Sequence, residues 1–230
     1  MRLLLPLLFF AAHLATAQSA PTDRTFTSHD GRSIQATVIR ATEHEVWIRR
    51  NDGATFQVPL TNFSQQDQEY VSRWRRMEVL RAPNALEFAA RRFPDGRTTS
   101  DDGPVRIVRE RFGYEVTFTN RTQMDLSDLT IEYRYFIRQG RPGVTGQNRP
   151  LRTQDGKERI AKIPPRGNGT FRTNTVTLES SNLRPGWYYT DGSKPRANDD
   201  LRGICVRIIQ DGEVIAQFSS PPNLMDSESW

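Results

Sequence analysis

The sequence predicts a mainly β chain of two modules, a small antiparallel meander ending in one helix and then an antiparallel β-sandwich. Three observations predict it. Apolar and polar residues alternate at period two in many short runs, seven Asp-Gly dipeptides punctuate those runs, and a single segment carries an apolar stripe at helical spacing. The 230 residues, 36% hydrophobic and 26% charged, are enough for one or two domains and too patterned for a disordered chain.

In chain order, Arg2 precedes an apolar run from Leu3 to Leu14 that is too short to span a bilayer, and Ala15-Thr16-Ala17 fits a small-x-small cleavage site. Residues 1–17 therefore read as a signal peptide cleaved after Ala17, which predicts an exported protein of the periplasm or cell surface. No Cys follows the run, against a lipoprotein, and no later stretch is apolar enough to cross a membrane. Arg24 to Ser28 reads as a leading strand before the Asp30-Gly31 turn. Ile34-x-Ala36-x-Val38, Val46-x-Ile48 and Phe56-x-Val58 then alternate as three short strands. Ser64 reads as a helix N-cap with Asp67 as its capping partner, and Tyr70, Val71, Trp74 and Met77 form the stripe of one helix. Pro83 and Asn84 break that pattern, so the first domain is placed at 18–82.

Beyond it the period is two again. Leu86-x-Phe88, Val105-x-Ile107, Tyr114-x-Val116-x-Phe118, Leu129-x-Ile131-x-Tyr133-x-Tyr135, Phe171 to Leu178, Ile204 to Ile208 and Val214 to Phe218 all alternate. They predict a β-sandwich over 83–222, followed by a flexible tail at 223–230.

Charge and chemistry narrow the function classes. There are 32 basic and 27 acidic residues, for a net charge of +5, and the bases are 29 Arg and three Lys. So mild an excess does not suit a surface that tracks phosphates, and Arg73, Arg75 and Arg76 at the end of the helix complement its dipole. Nucleic acid is accordingly not an expected partner. The single Cys205 excludes an intrachain disulfide and a Cys-based zinc site, and its apolar surroundings in sequence read as strand core. His29 and His44 read as loop residues, no catalytic or phosphate-cradling motif occurs, and Asp101-Asp102 and Asp199-Asp200 lack the spaced ligands of a calcium loop. The sequence thus predicts no catalytic residue, no metal, no cofactor and no enzyme.

Candidate binding residues come from two long polar loops. Residues 139–156 carry Arg141, Arg149 and Arg152, and residues 180–200 carry Arg184, Trp187, Tyr188 and Tyr189. Arg with Trp and Tyr is the composition of recognition surfaces. Trp47 joins them because it points away from Val46 and Ile48 on its strand.

Several of these pieces, read together, carry a resemblance. Arg24-x-Phe26-Thr27, Asp30-Gly31-Arg32, Ala36, Val46-x-Ile48-Arg49, Asp52-Gly53, Val58-Pro59-Leu60, Phe63-Ser64-x-x-Asp67-x-x-Tyr70-Val71 and Trp74 occur in this order. Residues 24–74 resemble the Sla-homology domain 1 family, an SH3-like barrel of a yeast endocytic adaptor that also occurs in exported bacterial proteins. The resemblance implies an SH3-like barrel with a C-terminal helix that binds a peptide or protein. It also implies that Phe26, Val46, Ile48, Phe56, Val58, Tyr70 and Trp74 are packing residues. More loosely, Val116-x-Phe118-x-Asn120-x-Thr122 followed by Leu126-x-x-Leu129-x-Ile131-x-Tyr133 is similar to immunoglobulin-like and fibronectin type III-like sandwiches of bacterial exported proteins.

The function expected from all this is that of an exported, non-catalytic, adaptor-like protein that binds a protein or peptide in the cell envelope. One alternative is a carbohydrate-binding accessory protein that stacks polysaccharide on Trp187, Tyr188 and Tyr189. A weaker one is a hydrolase housed in the sandwich loops. The sequence sets no oligomeric state.

Overall fold

The computed structural model describes residues 23–141, 148–192, 194–228 and 230. The expected signal peptide lies outside the described residues. The chain divides into two compact units, one ending at Ala85 and one running from Leu86 to Trp230. Among the described residues no helix is long and apolar enough to cross a membrane.

The first unit contains β1 (Arg24–Thr27), β2 (Ser33–Ala41), β3 (Glu45–Arg50) and β4 (Thr55–Pro59), a short 3-10 turn at Leu60–Asn62, and α1 (Gln65–Arg81). Asp-Gly turns join β1 to β2 and β3 to β4; Gly31 and Gly53 both have positive φ, which a residue with a Cβ adopts only under strain. The strands pair in the order β1-β2-β3-β4, all antiparallel. Phe26, Ala36, Val38, Val46, Ile48, Leu60, Phe63 and Val71 form the core of this unit, with Tyr70 and Trp74 packed on it from α1. Phe26 meets Phe63 at 5.4 Å and the edge of Tyr70 at 5.9 Å between ring centroids.

The N-terminus of α1 is held from several sides. The Asp67 N–H donates to the Ser64 hydroxyl oxygen, while the Ser64 hydroxyl, the Thr27 N–H and the Arg24 guanidinium all donate to the Asp67 carboxylate, at 2.8, 2.8 and 3.0 Å. The helix stops at Arg81 because Pro83 pushes the residue before it, Ala82, out of the helical region.

Two expectations for this unit are corrected. The sheet is open: β1 and β4 lie at opposite ends of the strand order and do not pair, so there is no closed SH3-like barrel. The reason is local. The free side of β1 is already occupied by the chain after β4, where Ser64 N–H donates to Thr27 C=O at 2.8 Å, His29 N–H donates to Asn62 C=O at 3.1 Å and Ser28 bridges Phe63. Phe56 is also not a core residue. It faces the same side as Val46 and Ile48 but sits at the sheet edge, 37% exposed, with the Arg50 guanidinium 5.3 Å from its ring centroid. Val58 is half-buried; Phe26, Val46 and Ile48 are buried in the core, with Tyr70 and Trp74 packed against it.

The second unit contains β5 (Leu86–Asp102), β6 (Val105–Asn120), β7 (Leu126–Arg138), β8 (Leu151–Ile163), β9 (Asn168–Arg172), β10 (Val176–Leu183), β11 (Arg196–Asn198), β12 (Asp200–Gln210), β13 (Glu213–Ser220) and the short α2 (Leu224–Ser227). They make two open antiparallel sheets, one ordered β11-β10-β6-β5 with β9 also on β6, the other β13-β12-β7-β8. The immunoglobulin-like expectation is corrected to this arrangement. The β5–β6 hairpin runs 17 and 16 residues, so β6 pairs with β10 along Val105–Phe112 and then with β9 along Glu115–Thr119, replacing one neighbour by another along a single strand.

Aromatic residues from both sheets meet in the interior of this unit. Phe88 of β5 stacks on Phe218 of β13 at 5.2 Å, and Tyr114, Tyr133, Tyr135 and Phe171 lie within 6.0–6.2 Å of one another in successive pairs. The hydroxyls of Tyr133 and Tyr135 are satisfied: Tyr133 accepts from the Asn174 N–H at 2.9 Å, and Tyr135 donates to the Asn174 carbonyl at 2.9 Å and meets the Thr173 hydroxyl. Burial pushes the Tyr135 phenol up to about 12. Buried Asn120 pins the turn after β6, accepting from Thr122 N–H and donating to the carbonyls of Met124 and Pro164.

Most of the Asp-Gly glycines take positive φ, but Gly156 does not; it lies within β8 opposite Tyr133, where an added Cβ would come within 2.1 Å of the tyrosine ring. Beyond residue 222, where the sequence predicts a flexible tail, Leu224 is buried against Phe136 and Cys205. Glu228 pairs with Arg138 at 2.7 Å, and Trp230 lies 4.1 Å beneath the Arg207 guanidinium.

Candidate functional site

The structure separates the residues singled out from the sequence. Trp47, on β3, is half-buried on the face opposite Val46 and Ile48, with the Arg40 guanidinium 4.8 Å from its ring centroid. The remaining candidates lie in the second unit. Of the two polar loops, the first is shorter than its sequence suggests, because β8 begins at Leu151; part of it, 142–147, lies outside the described residues.

Two of its arginines serve the fold. Arg149 donates from its guanidinium to the carbonyls of Gln139, Arg138 and Asn198, and Arg152 donates to the Thr177 carbonyl at 2.9 Å. Asp199 anchors the same corner, accepting from the Gly140 and Glu179 N–H groups at 2.9 and 3.1 Å. Charged groups engaged in this way hold the loop against the strands. Arg141 is exposed.

The second loop, between β10 and β11, presents side chains outward. Leu183 N–H bonds the Pro195 carbonyl and Arg184 N–H bonds the Pro104 carbonyl, fixing the base, and Gly186 and Gly192 turn the chain with positive φ. Trp187 N–H donates back to the Arg184 carbonyl at 3.1 Å. Held there, Trp187 is 60% and Tyr188 81% exposed, while Tyr189 is half-buried and the tripeptide is not a strand. Arg184 is exposed too and pairs with Asp101. Single exposed apolar side chains are common, but two adjacent large aromatics at this exposure are not covered by anything in their own unit.

Three of the four acids considered as ligands are occupied. Asp101 meets Arg106 and Arg184, Asp199 is bound by main-chain amides, and Asp200 lies 3.8 Å from Arg202. Among the described residues no group of three or more His, Cys, Asp or Glu side chains is placed to hold a metal. His29 and His44 are exposed, and Cys205 is buried, its thiol pushed up to about 11 by burial.

Sequence reasoning missed two features. The C-terminal segment covers Cys205, although Leu224, Met225 and Trp230 were visible as apolar residues in the expected tail. Asp67 was read as a capping residue alone, whereas Arg24 and Thr27, some 40 residues earlier, also bind it.

Comparison with known proteins assigns no family: no family model matches the chain, and no curated protein matches it. The Sla-homology resemblance of residues 24–74 is therefore corrected together with its barrel. Solved structures give weak likenesses. A Northeast Structural Genomics Consortium target aligns with a TM-score of 0.31 at 13% identity, over 59% of this chain and 86% of its own. A putative β-galactosidase from Bacteroides fragilis gives 0.25 at 17% identity over 54% of this chain, which spans only 15% of the galactosidase. A protein from Akkermansia muciniphila gives 0.22 at 12% identity, over 58% of this chain and 71% of its own. At these scores none carries an argument about function, nor about an immunoglobulin-like fold.

Proposed function

We propose that the chain is an exported, non-catalytic protein of the cell envelope that binds a protein or peptide partner through the loop between β10 and β11. The observation that carries this is the exposure of Trp187 and Tyr188, 60% and 81%, on a loop whose base is fixed by main-chain bonds. Large aromatics held out on an ordered loop bury much area at small entropic cost when a partner covers them. Export rests on the Arg2, Leu3–Leu14 and Ala15-Thr16-Ala17 pattern. A protein partner is favoured over polysaccharide because Tyr189 is half-buried, so the three rings are not offered together as a stacking platform.

The test is capture from envelope extract by immobilised residues 18–230, with the Trp187→Ala/Tyr188→Ala double variant alongside. Both side chains are exposed, so the variant keeps the wild-type melting temperature. A retained protein whose binding weakens about 30-fold or more in the variant, the size of a hot-spot loss, supports the proposal. Retention unchanged by the variant overturns it, as does binding to cell-wall polysaccharide that soluble glycan abolishes.

A further inference from the structure

The first unit leaves its two sheet edges in different states. β1 is covered on its free side by residues 62–64 and by the Asp67 carboxylate, which takes the Thr27 N–H. Among the described residues of its unit β4 has no such cover. The bonds Arg50 N–H to Ala54 C=O and Leu60 N–H to His44 C=O set the alternation of the β3–β4 ladder. Phe56 and Val58 therefore exchange bonds with β3, and the main-chain groups of Thr55 and Gln57, with the carbonyl of Pro59, point away from it.

Three edges in the second unit carry the usual protections: β8 has Lys157, Arg159 and Lys162, β5 has Pro94 beside a bulge, and β11 is three residues long. The β4 sequence Thr-Phe-Gln-Val-Pro has no charge, and Phe56 is 37% exposed.

We infer that this edge pairs with the β4 edge of a second copy of the chain, antiparallel and twofold about Gln57. The register is self-complementary. Gln57 exchanges both main-chain bonds with its mate, and each Thr55 N–H donates to the mate's Pro59 carbonyl, the one main-chain group proline retains. Phe56 falls opposite the mate's Val58, so the exposed ring and a half-buried valine cover each other. The charges agree. Glu45 lies across from Pro59 and Arg49 across from Thr55 within each hairpin, so antiparallel mating turns the acidic end of one toward the basic end of the other. Parallel mating would set Arg49 toward Arg49. This inference rests on the strand edge and is independent of the aromatic loop.

Sedimentation velocity on residues 18–230, over a concentration series into the high micromolar range, tests it. The wild-type mass rises from monomer to dimer with concentration. Gln57→Pro removes the outward N–H together with the exposed side-chain bond from Gln57 to Glu45, and Thr55→Lys places a charge on the edge without touching that bond. Each weakens dimerisation at least tenfold and leaves the chain folded, with a melting temperature close to that of the wild type. Dimers that persist in both variants overturn the inference, since another surface would then hold them. So does a wild-type chain that stays monomeric throughout the series, whether β4 is bare or taken by a strand of another protein.

Discussion

Asp67 is buried and charged, a combination that is costly unless donors surround the carboxylate. Burial pushes its carboxyl up, but the Thr27 N–H, the Ser64 hydroxyl and the Arg24 guanidinium together outweigh that and hold it below the ordinary 3.8. A carboxyl lowered by folding adds stability that is present above its unfolded pKa and lost as pH falls through the folded one. The expected result is a chain whose unfolding free energy is steady near neutrality and falls below about pH 4. Asp67→Asn should cost about 1–3 kcal/mol at pH 7 and flatten part of that acid slope. Urea unfolding of both proteins at pH 7 and in acid measures it. Asp52, held at about 2 chiefly by its bond to Arg50, contributes to the slope of both proteins and cancels in the comparison. Equal stability at pH 7 would show that the cluster around Asp67 does not hold β1 to α1.

Helix α1 gives the first unit much of its core through one side. Val71 is buried and Tyr70 and Trp74 pack beside it on the sheet, whereas Trp47 lies on the other face with a guanidinium over it. Trp74→Ala should therefore cost about 2–4 kcal/mol, less than a fully buried tryptophan because it is only half-buried. Trp47→Ala should cost about 1 kcal/mol or less, mainly the contact with Arg40. Chemical denaturation of the mature variants separates the two, and equal losses would mean that the helix does not pack on the sheet. This helix was legible in the sequence because capping residues, a stripe at 3.6 spacing and a following proline are all local signals. The strand alternation was legible for the same reason. The fate of the β1 edge was not, since it depends on residues 62–64 returning to pair some 35 positions back.

Among the described residues the first unit has a buried cluster drawn from residues between Phe26 and Trp74, and Met77, Leu80 and Ala85 are buried as well. Residues 18–85 expressed alone should give a dispersed amide spectrum, with the marginal stability of so small a domain. A collapsed spectrum, beside a well-dispersed full chain, would show that the core does not suffice. At this scale the sequence conveyed β content and a change of period near residue 82. It could not convey which strands share a sheet, because β6 meets β5, β9 and β10 at separations its own alternation does not encode. The candidate surface was half legible for a related reason. Trp187 and Tyr188 stand out by composition. Arg149 and Arg152 look the same on paper, and only the carbonyls around them reveal that they hold the fold.

Tyr133 and Gly156 face each other across β7 and β8, the ring occupying the space a side chain would need. That contact limits the routes by which the sequence can diverge. A side chain at position 156 collides with the ring, while trimming Tyr133 first opens a void and strands the Asn174 N–H it accepts from. Either single step destabilises the fold, so the two positions are expected to change together. Descendants of this chain should keep both residues or have replaced both, and a lineage carrying only one of the two should show a rebuilt neighbourhood around residue 174.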